Sequence, residues 1–211
     1  MLCSAHLNSF LAMQPLEYRA LLLETLNRLD MSRVQALADA FSAAYEGGHT
    51  IYTMGNGGSA ASASHAAGDF LKGASFGLDK RFKMICLNDN LPSLMAIAND
   101  IGWEAIFEEP LKNYLQPGDL VVGLSGSGNS ENVLRAMQWA KANGATTAGL
   151  TGYSGGKLAH LVDIHVHSDA NDMEVAEDVH MAVFNMVKKS MMAKYMGDTP
   201  SMGATYDARV K

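Results

Sequence analysis

The sequence predicts an α/β fold built on a doubly wound parallel sheet with helices on both faces. Five short β-prone runs alternate with helical segments from residue 49 onward, and this alternation is typical of a parallel sheet. Two helical stretches precede the first run, and the 211 residues fit one domain with a substantial core. We expect N-terminal helices over residues 16–48, an α/β core over residues 49–196 and a C-terminal tail over residues 197–211.

Two runs of apolar residues at helical spacing predict the N-terminal helices. These residues are Leu22, Leu26, Leu29, Val34, Leu37 and Phe41. Asp30 and Ser32 supply a capping signal between the two helices, and Gly47 and Gly48 end the second one. The apolar surface of these helices exceeds what packing on one sheet needs, so we expect it to serve subunit association.

The remaining elements alternate along the chain. The strands are predicted at residues 49–54, 83–87, 120–124, 145–151 and 162–167. The helices that follow them are predicted at residues 59–71, 91–101, 104–115, 130–143 and 172–195. Because ligands of such sheets bind at the carboxyl ends of the strands, the loops that follow strands are where a site is expected.

Composition excludes several classes of function. The formal net charge of −6 argues against a general nucleic-acid binder, since no basic face would compete for a phosphate backbone. No apolar run reaches the roughly 20 residues that span a bilayer, and residues 1–14 lack the basic segment of a signal peptide. Cys3 and Cys86 are far apart and show no metal or redox spacing. We expect a soluble, cytoplasmic protein that binds neither membranes nor nucleic acid directly.

A glycine-rich loop follows the first predicted strand, at residues 54–61 (MGNGGSAA). Its glycines allow the backbone to turn tightly and to approach a ligand closely. Ser59 can cap the following helix, and the free amides at that helix start form an anion site. The sequence therefore predicts a phosphate-binding loop at this position.

A second loop repeats this pattern at residues 123–130 (GLSGSGNS), between the third predicted strand and its helix. The hydroxyls of Ser125, Ser127 and Ser130 and several free amides suit a phosphate dianion. Either loop alone could be a flexible turn, but two such loops at strand ends favour phosphate binding. Neither loop has the spacing of a P-loop, of a dinucleotide-binding motif or of the serine hydrolase elbow.

These loops and three further segments resemble the SIS (sugar isomerase) domain family, and within it the phosphoheptose isomerases. The further segments are residues 98–100 (AND), 150–156 (LTGYSGG) and 177–180 (EDVH). The resemblance extends from about residue 16 to residue 195. It implies a flavodoxin-like, five-stranded parallel sheet, a homotetramer and active sites built at subunit contacts.

The resemblance also implies which residues bind the phosphorylated sugar. Ser125, Ser127 and Ser130 would hold the phosphate. The residues that would line the sugar site are Asn56, Gly57, Gly58, Asn99 and Asp100. To these we add Ser59 and Gly126 from the two loops, and Glu177, which can contact a substrate hydroxyl.

His65 and Asp69 are candidate catalytic residues. They lie four positions apart on the helix predicted after the first loop, so they share one face. Isomerising an aldose to a ketose moves a proton between adjacent carbons, which needs a base and an acid-base group near the oxygens. An imidazole and a carboxylate on one pocket wall meet that need, and Glu177 is the third candidate.

The chain departs from the isomerase pattern at its catalytic and metal-binding positions. Asp69 stands where the family has a glutamate, Glu177 where it has a glutamine, and Asn185 where it has the catalytic histidine. In relatives with bound zinc, these three positions and His65 would be the ligands. A rearranged zinc set of His65, Asp69, Glu177 and His180 is an alternative, because carboxylates and imidazoles are zinc ligands. His180 does not simply replace Asn185, since the two lie about 140° apart around a helix.

Two functions remain open at this point. The first is an isomerase acting on a phosphosugar such as sedoheptulose 7-phosphate, which the loops and the catalytic candidates favour. The second is a non-catalytic phosphosugar-binding regulator, since one branch of the subfamily that resembles this chain is a tetrameric protein that binds the replication initiator DnaA. Asn185 favours the regulator, whereas Asp69 and Glu177 favour the enzyme, which is the interpretation we prefer.

Overall fold

The structure, a computed structural model, describes residues 13–197. The helices in this range are α1 (Pro15–Arg28), α2 (Met31–Gly47), α3 (Gly58–Gly68), α4 (Leu91–Asp100), α5 (Glu108–Tyr114), α6 (Glu131–Ala142), α7 (Leu158–Leu161) and α8 (Met173–Met196). The strands are β1 (Thr50–Met54), β2 (Lys83–Cys86), β3 (Leu120–Ser125), β4 (Thr146–Thr151) and β5 (Ile164–His167). Apart from Gly197, the predicted C-terminal tail lies outside the described residues.

The N-terminal helices begin and end where the local signals place them. The Asp30 carboxylate accepts the Ser32 backbone N–H at 2.9 Å and so caps the start of α2. Gly48 ends α2 in the left-handed conformation, with a φ of 72° that glycine adopts without steric cost. Both helices pack against α8, so they lie on the same face of the sheet as that helix.

The five predicted strands form one parallel sheet in the described range, in the order β2-β1-β3-β4-β5. The strand order reverses between β1 and β3, and doubly wound sheets bind their ligands in the crevice at such a point. The register of these two strands pairs Met54 with Gly123. The two glycine-rich loops therefore leave the sheet side by side.

Both faces of the sheet are covered, because successive side chains of a strand point to opposite faces. On β1, Ile51 packs into the core under α2, α3 and α8, while Tyr52 packs into the core under α5 and α6. In the first core, the ring of Phe41 lies 5.0 Å from that of Phe70 and 6.4 Å from that of Phe184. These aromatic contacts join α2 to α8 and to the segment that follows α3.

Two helices differ from their predicted extent. α3 ends at Gly68, and the chain continues as a π-helical turn from Asp69 to Gly73, in which the Ala74 N–H donates to the Asp69 carbonyl at 3.1 Å. The helix predicted over residues 104–115 divides into a short 3₁₀ turn and α5. Both turns contain too few residues to be recognised from the hydrophobic pattern of the sequence, although π turns are frequent at functional sites.

Cys86 is the cysteine that the structure describes, and it is buried and free. Burial is the main cause that raises the pKa of its thiol to about 11. The thiol therefore stays protonated near neutral pH and is a poor nucleophile and metal ligand. No helix among residues 13–197 is long and apolar enough to cross a membrane.

The aromatic contacts of Phe41 generate a stability prediction. Phe41 is fully buried, so Phe41→Ala should lower the free energy of unfolding by about 3–5 kcal/mol through lost burial and a residual cavity. Chemical denaturation at fixed protein concentration measures this loss. Leu16→Ala is the control, because this side chain is 65% exposed and should change stability by less than about 1 kcal/mol. Equal losses in the two variants would contradict the described core.

Candidate active site

The two glycine-rich loops form the walls of one cavity of about 340 Å³ at the carboxyl ends of β1 and β3. Its lining residues are Asn56, Gly57, Gly58, Ser59, Leu124, Ser125, Gly126, Ser127, Ser130, Met173 and Glu177. The predicted substrate-binding residues thus meet here, with the exception of Asn99 and Asp100. Leu124 and Met173 also line the cavity, and as apolar residues they carry no polar signal that would have identified them.

Hydroxyl groups converge at the second loop. Ser125 ends β3, Ser130 immediately precedes α6, and their Oγ atoms lie 3.0 Å apart. Because α6 starts directly after Ser130, its first backbone amides have no carbonyl partner within the helix and carry partial positive charge. Of these, the Val133 N–H donates to the Asn132 side chain at 2.9 Å. Two hydroxyls beside such a helix start are suited to bind a dianion.

The loop after β4 holds the second loop in place. The Gly152 N–H donates to the Gly126 carbonyl at 2.8 Å, and the Leu158 N–H donates to the Gly128 carbonyl at 2.9 Å. Gly128 has a φ of 65°, and a Cβ on this residue would overlap the Gly155 carbonyl. The segment at residues 150–156, on which the resemblance partly rested, therefore supports the serine loop through backbone contacts.

The first loop differs from its prediction. The helix cap is Gly57, with a φ of 56°, so α3 begins at Gly58 and Ser59 lies inside the helix instead of capping it. The Glu177 carboxylate, from α8, packs against Gly58 and accepts the Ser59 N–H. Burial, together with Glu174 and Asp178, raises the pKa of Glu177, and the bond from Ser59 opposes this rise. A carboxylate of the same chain thus occupies the helix start that was expected to bind phosphate.

Two asparagine side chains that the sequence analysis did not identify, those of Asn88 and Asn132, hold the first loop in place. The Asn56 and Asn132 amides exchange two hydrogen bonds of 2.9 and 3.0 Å, which tie the loop to α6. The Asn88 amide likewise donates to the Gly55 carbonyl at 2.9 Å and accepts the Gly55 N–H at 3.2 Å. Each pair joins residues more than 30 positions apart, so no local spacing could have predicted it.

His65 and Asp69 approach each other as the helical spacing predicts, but Asp69 has a stronger partner. His65 Nε2 lies 3.6 Å from Asp69 Oδ2. The Lys188 ammonium, from α8, lies 2.7 Å from the same oxygen. His65 is 63% exposed, whereas Lys188 is only 17% exposed. Lys188 was not among the predicted residues, because its sequence position gives no sign that α8 would bring it to Asp69.

The contacts between α3 and α8 separate Glu177 from Asp69. Glu177 packs against Gly58, and Lys188 pairs with Asp69, so the two helices run side by side in the same direction. The two contacts are eleven residues apart on each helix, which corresponds to about 16 Å along the axis. One chain therefore does not bring Asp69 and His65 to the cavity that Glu177 lines.

His180 does not join the predicted metal ligands either. Its side chain is fully buried, and neither ring nitrogen has a hydrogen-bond partner among the described residues. Its pKa is lowered to about 4, mainly by burial; the nearby Thr151 carbonyl opposes this shift and His167 adds to it. His180 therefore faces β4 and β5 rather than Asp69. Within residues 13–197 no three His, Cys, Asp or Glu side chains are placed to hold a metal ion, so the implied zinc set does not fit one chain.

A protein-family model that matches most of the chain identifies the family to which it belongs. Residues 16–152 match the family model described as the SIS domain. This chain belongs to the SIS domain family. The doubly wound sheet and the paired glycine-rich loops at its reversal point are therefore the fold and the cavity of a SIS domain.

Curated relatives of this SIS domain are phosphoheptose isomerases. The probable phosphoheptose isomerase of Thermoplasma acidophilum is 35% identical over 159 residues, which cover 75% of this chain and 87% of the relative. The phosphoheptose isomerase of Trichlorobacter lovleyi is 35% identical over 182 residues, which cover 86% of this chain and 91% of the relative. The solved phosphoheptose isomerase of Neisseria gonorrhoeae superposes with a TM-score of 0.76 at 26% identity, covering 84% of this chain and 94% of that one.

The remaining predicted residues of this SIS domain lie outside the cavity. Asn99 and Asp100 are exposed at the end of α4, where the Asn99 amide donates to the Asp100 carboxylate at 2.7 Å. Ala98, beside them, lines a neighbouring cavity of about 210 Å³ that shares Asn56 and Gly57 with the first one. The two cavities meet at the first loop, so the end of α4 lies near the site. In the described chain, however, Asn99 and Asp100 do not line the first cavity.

The close approach of Gly128 to Gly155 gives a prediction for phosphate binding. Gly128→Ala should lower the affinity for inorganic phosphate at least tenfold, because both the positive φ and the overlap would displace the serine loop. Isothermal titration of the SIS domain with phosphate measures this. Gly68→Ala is the matched control, since a Cβ there meets nothing within 4 Å and should leave affinity unchanged. Unchanged affinity in Gly128→Ala would exclude this loop as the phosphate site.

The buried His180 gives a prediction for pH dependence. Because its pKa falls from an unfolded value of 6.5 to about 4, the folded state binds fewer protons than the unfolded state between these values. Stability should be full above pH 6.5 and should fall by roughly 3 kcal/mol as the pH drops to about 4. His165, whose pKa is also lowered chiefly by burial, adds to this loss.

Thermal unfolding from pH 7 to pH 4 compares the chain with two variants. His180→Leu should flatten the dependence, and the exposed His160→Gln should retain it. A His180→Leu profile as steep as that of the unchanged chain would assign the loss to other groups.

Proposed function

We propose that this protein is a phosphosugar isomerase of the phosphoheptose isomerase type, which interconverts an aldose and a ketose phosphate such as sedoheptulose 7-phosphate. The observation that carries the proposal is the cavity in which Ser125 and Ser130 lie beside the start of α6 and face Glu177. One side of it suits a phosphate and the other a sugar hydroxyl. The curated relatives named phosphoheptose isomerase support the same reaction class.

The phosphate is assigned to the serine loop and the sugar to the first loop. The hydroxyls of Ser125, Ser127 and Ser130 and the first amides of α6 bind the dianion. The Glu177 carboxylate already accepts a hydrogen bond from the Ser59 amide, so a phosphate at that helix start would lie against a carboxylate. A neutral sugar meets no such repulsion. Its hydroxyls can donate to Glu177.

The proton transfers need acid-base groups at the reacting carbons and oxygens. Glu177 is placed at the cavity, and its raised pKa brings it nearer to the operating pH, as an acid-base group requires. Asp69 is the candidate base and His65 its polar neighbour. In this assignment Asp69 removes the proton from the carbon beside the carbonyl and returns it to the former carbonyl carbon. Glu177 donates a proton to the carbonyl oxygen and takes one from the hydroxyl of the neighbouring carbon, so that both groups end in their starting states.

The separation of Asp69 from Glu177 requires a second copy of the chain. A sugar phosphate held at Ser125 would have to run the length of α3 to reach Asp69 of its own chain. The surface beyond α3 carries exposed apolar side chains, which are Leu71, Phe76, Ile85, Leu91, Met95 and Trp103. Burial of this surface between copies would stabilise an assembly and can bring Asp69 of one copy to the loops of another. We accordingly propose a homotetramer with shared sites.

An isomerase assay with single and mixed variants tests both parts of this proposal. Ser125→Ala and Asp69→Asn should each lower the turnover of sedoheptulose 7-phosphate at least a hundredfold, the first through phosphate binding and the second through proton transfer. Ser154→Ala, an exposed serine outside the cavity, is the control. When the two inactive variants are co-expressed, about a quarter of the sites should regain both intact groups, because each site draws on two copies.

The outcomes separate the competing functions. No recovery in the mixed sample would place Asp69 and Ser125 in the site of the same chain and contradict the shared site. No turnover of any aldose or ketose phosphate, with phosphosugar binding intact and lost in Ser125→Ala, would contradict the enzyme and support a phosphosugar-binding regulator.

A further inference from the structure

The Asp69 carboxylate forms an ion pair with a lysine of its own chain, Lys188. Its Oδ2 atom lies 2.7 Å from the Lys188 ammonium and 3.6 Å from His65 Nε2. Lys188 and Asp69 are 17% and 29% exposed, so this pair is more shielded from solvent than an ordinary surface salt bridge. The position at which a metal-binding relative would present its carboxylate to zinc is therefore filled by an ammonium group.

The fold makes specific room for Lys188. Its Cε atom packs against Gly73, the last residue of the π-helical turn that Asp69 begins. A Cβ at Gly73 would lie 2.9 Å from that carbon and 3.1 Å from the ammonium nitrogen, so the end of the lysine side chain would have to shift to make room for it. Lys188 also lies one helical turn after Asn185, on the same side of α8.

The chemistry of these groups opposes a metal ion at Asp69. Zinc binds through lone pairs of carboxylate, imidazole or thiolate groups, and an ammonium group offers none. A zinc ion bound to Asp69 Oδ2 would lie next to the positive charge of Lys188 and would be repelled by it. Within one chain the remaining implied ligands do not compensate, since Asn185 is an exposed amide and Glu177 lies at the other end of α3. The charge of Lys188 would repel a metal ion at Asp69 in the same way if a second copy brought its own Glu177 to this site.

We propose that Lys188 replaces the metal ion of this site as a built-in cation that positions the Asp69 carboxylate, so that the protein works without a bound metal. The catalytic part of this inference rests on the proposed isomerase function, whereas the metal-binding part does not. Lys188 contacts Asp69, and we therefore describe it as a positioning residue. His65 lies on the exposed side of the same carboxylate.

Metal binding by the full chain, after chelation and dialysis, tests the first part. The probes are Zn²⁺ by isothermal titration and Co²⁺ by its visible absorption. The unchanged chain should bind neither ion at Asp69, so Asp69→Asn should not alter its titration. Lys188→Met should bind Zn²⁺ at least tenfold more tightly. Lys188→His, which places three donors together, should give the spectrum of four-coordinate Co²⁺.

The matched control is Lys189→Met, which removes one positive charge from the exposed side of the same helix and should behave like the unchanged chain. One Zn²⁺ per chain bound by the unchanged protein and lost in Asp69→Asn would overturn the proposal, and this comparison needs no Lys188 variant to fold. Failure of both Lys188→Met and Lys188→His to bind metal, with thermal unfolding showing that they are folded, would also overturn it.

Turnover tests the second part. Isomerase activity of the unchanged chain should be the same with a chelator and with added Zn²⁺. Lys188→Met should lower kcat at least a hundredfold with little change in KM, because it disturbs the base and leaves the phosphate loop intact. Lys188→Arg should retain activity within about tenfold, since it restores the charge. Loss of activity on chelation, restored by Zn²⁺, would refute the metal-free site. If no phosphosugar is turned over, the proposed isomerase fails, and the titrations still decide whether Lys188 replaces the metal.

Discussion

The pairing of β1 with β3 is the constraint on which the site depends. Parallel pairing places the ends of both strands at one edge of the sheet, and the Met54–Gly123 register sets their loops side by side. Because the strand order reverses at this pair, the connections that follow run to opposite faces and leave a crevice between them. Each loop then needs glycine where the backbone turns with positive φ, as at Gly57 and Gly128. A slip in this register would separate the serine hydroxyls from Glu177 even if every local loop structure survived.

The second organising element is the parallel contact of α3 with α8. Both helices start at the carboxyl edge of the sheet and run in the same direction, so residues separated by equal intervals on the two helices form successive contacts. Near the start, the Glu177 carboxylate accepts a hydrogen bond from the Ser59 amide. Eleven residues further along, Lys188 meets Asp69. One helix pair thus sets both the polarity of the cavity and the environment of the candidate base, and it keeps the two apart within a chain.

The sequence predicted what is encoded locally. The five strands, the two glycine-rich loops and the His65–Asp69 contact follow from residue types at fixed short spacing, and the structure places them as expected. The predicted helix cap at Ser59 was wrong, because the turn at Gly57 caps the helix two residues earlier than the side-chain signal indicates. Asn132 and Lys188 could not be predicted, since their partners lie 76 residues or more away and only the packed fold brings them together. The residues of the expected metal set do not come together among the described residues of one chain, because Glu177 and His180 on α8 lie away from Asp69.

The departures from the isomerase pattern are better understood together than one by one. Considered separately, an aspartate in place of glutamate at position 69 and an amide in place of histidine at position 185 suggest an active site that has lost its catalytic activity. Together with Lys188 they form a consistent replacement, in which the shorter carboxylate leaves space for a long ammonium side chain and the missing imidazole is not needed as a ligand. Stability alone gives little reason to keep such a pair, because a partly buried ion pair contributes about as much as well-packed apolar residues would. Gly73, which has no side chain, leaves room for the end of Lys188 beside Asp69. An ion pair that is neutral for stability and specifically accommodated by the fold is better explained by its effect on Asp69 than as the remains of a metal site.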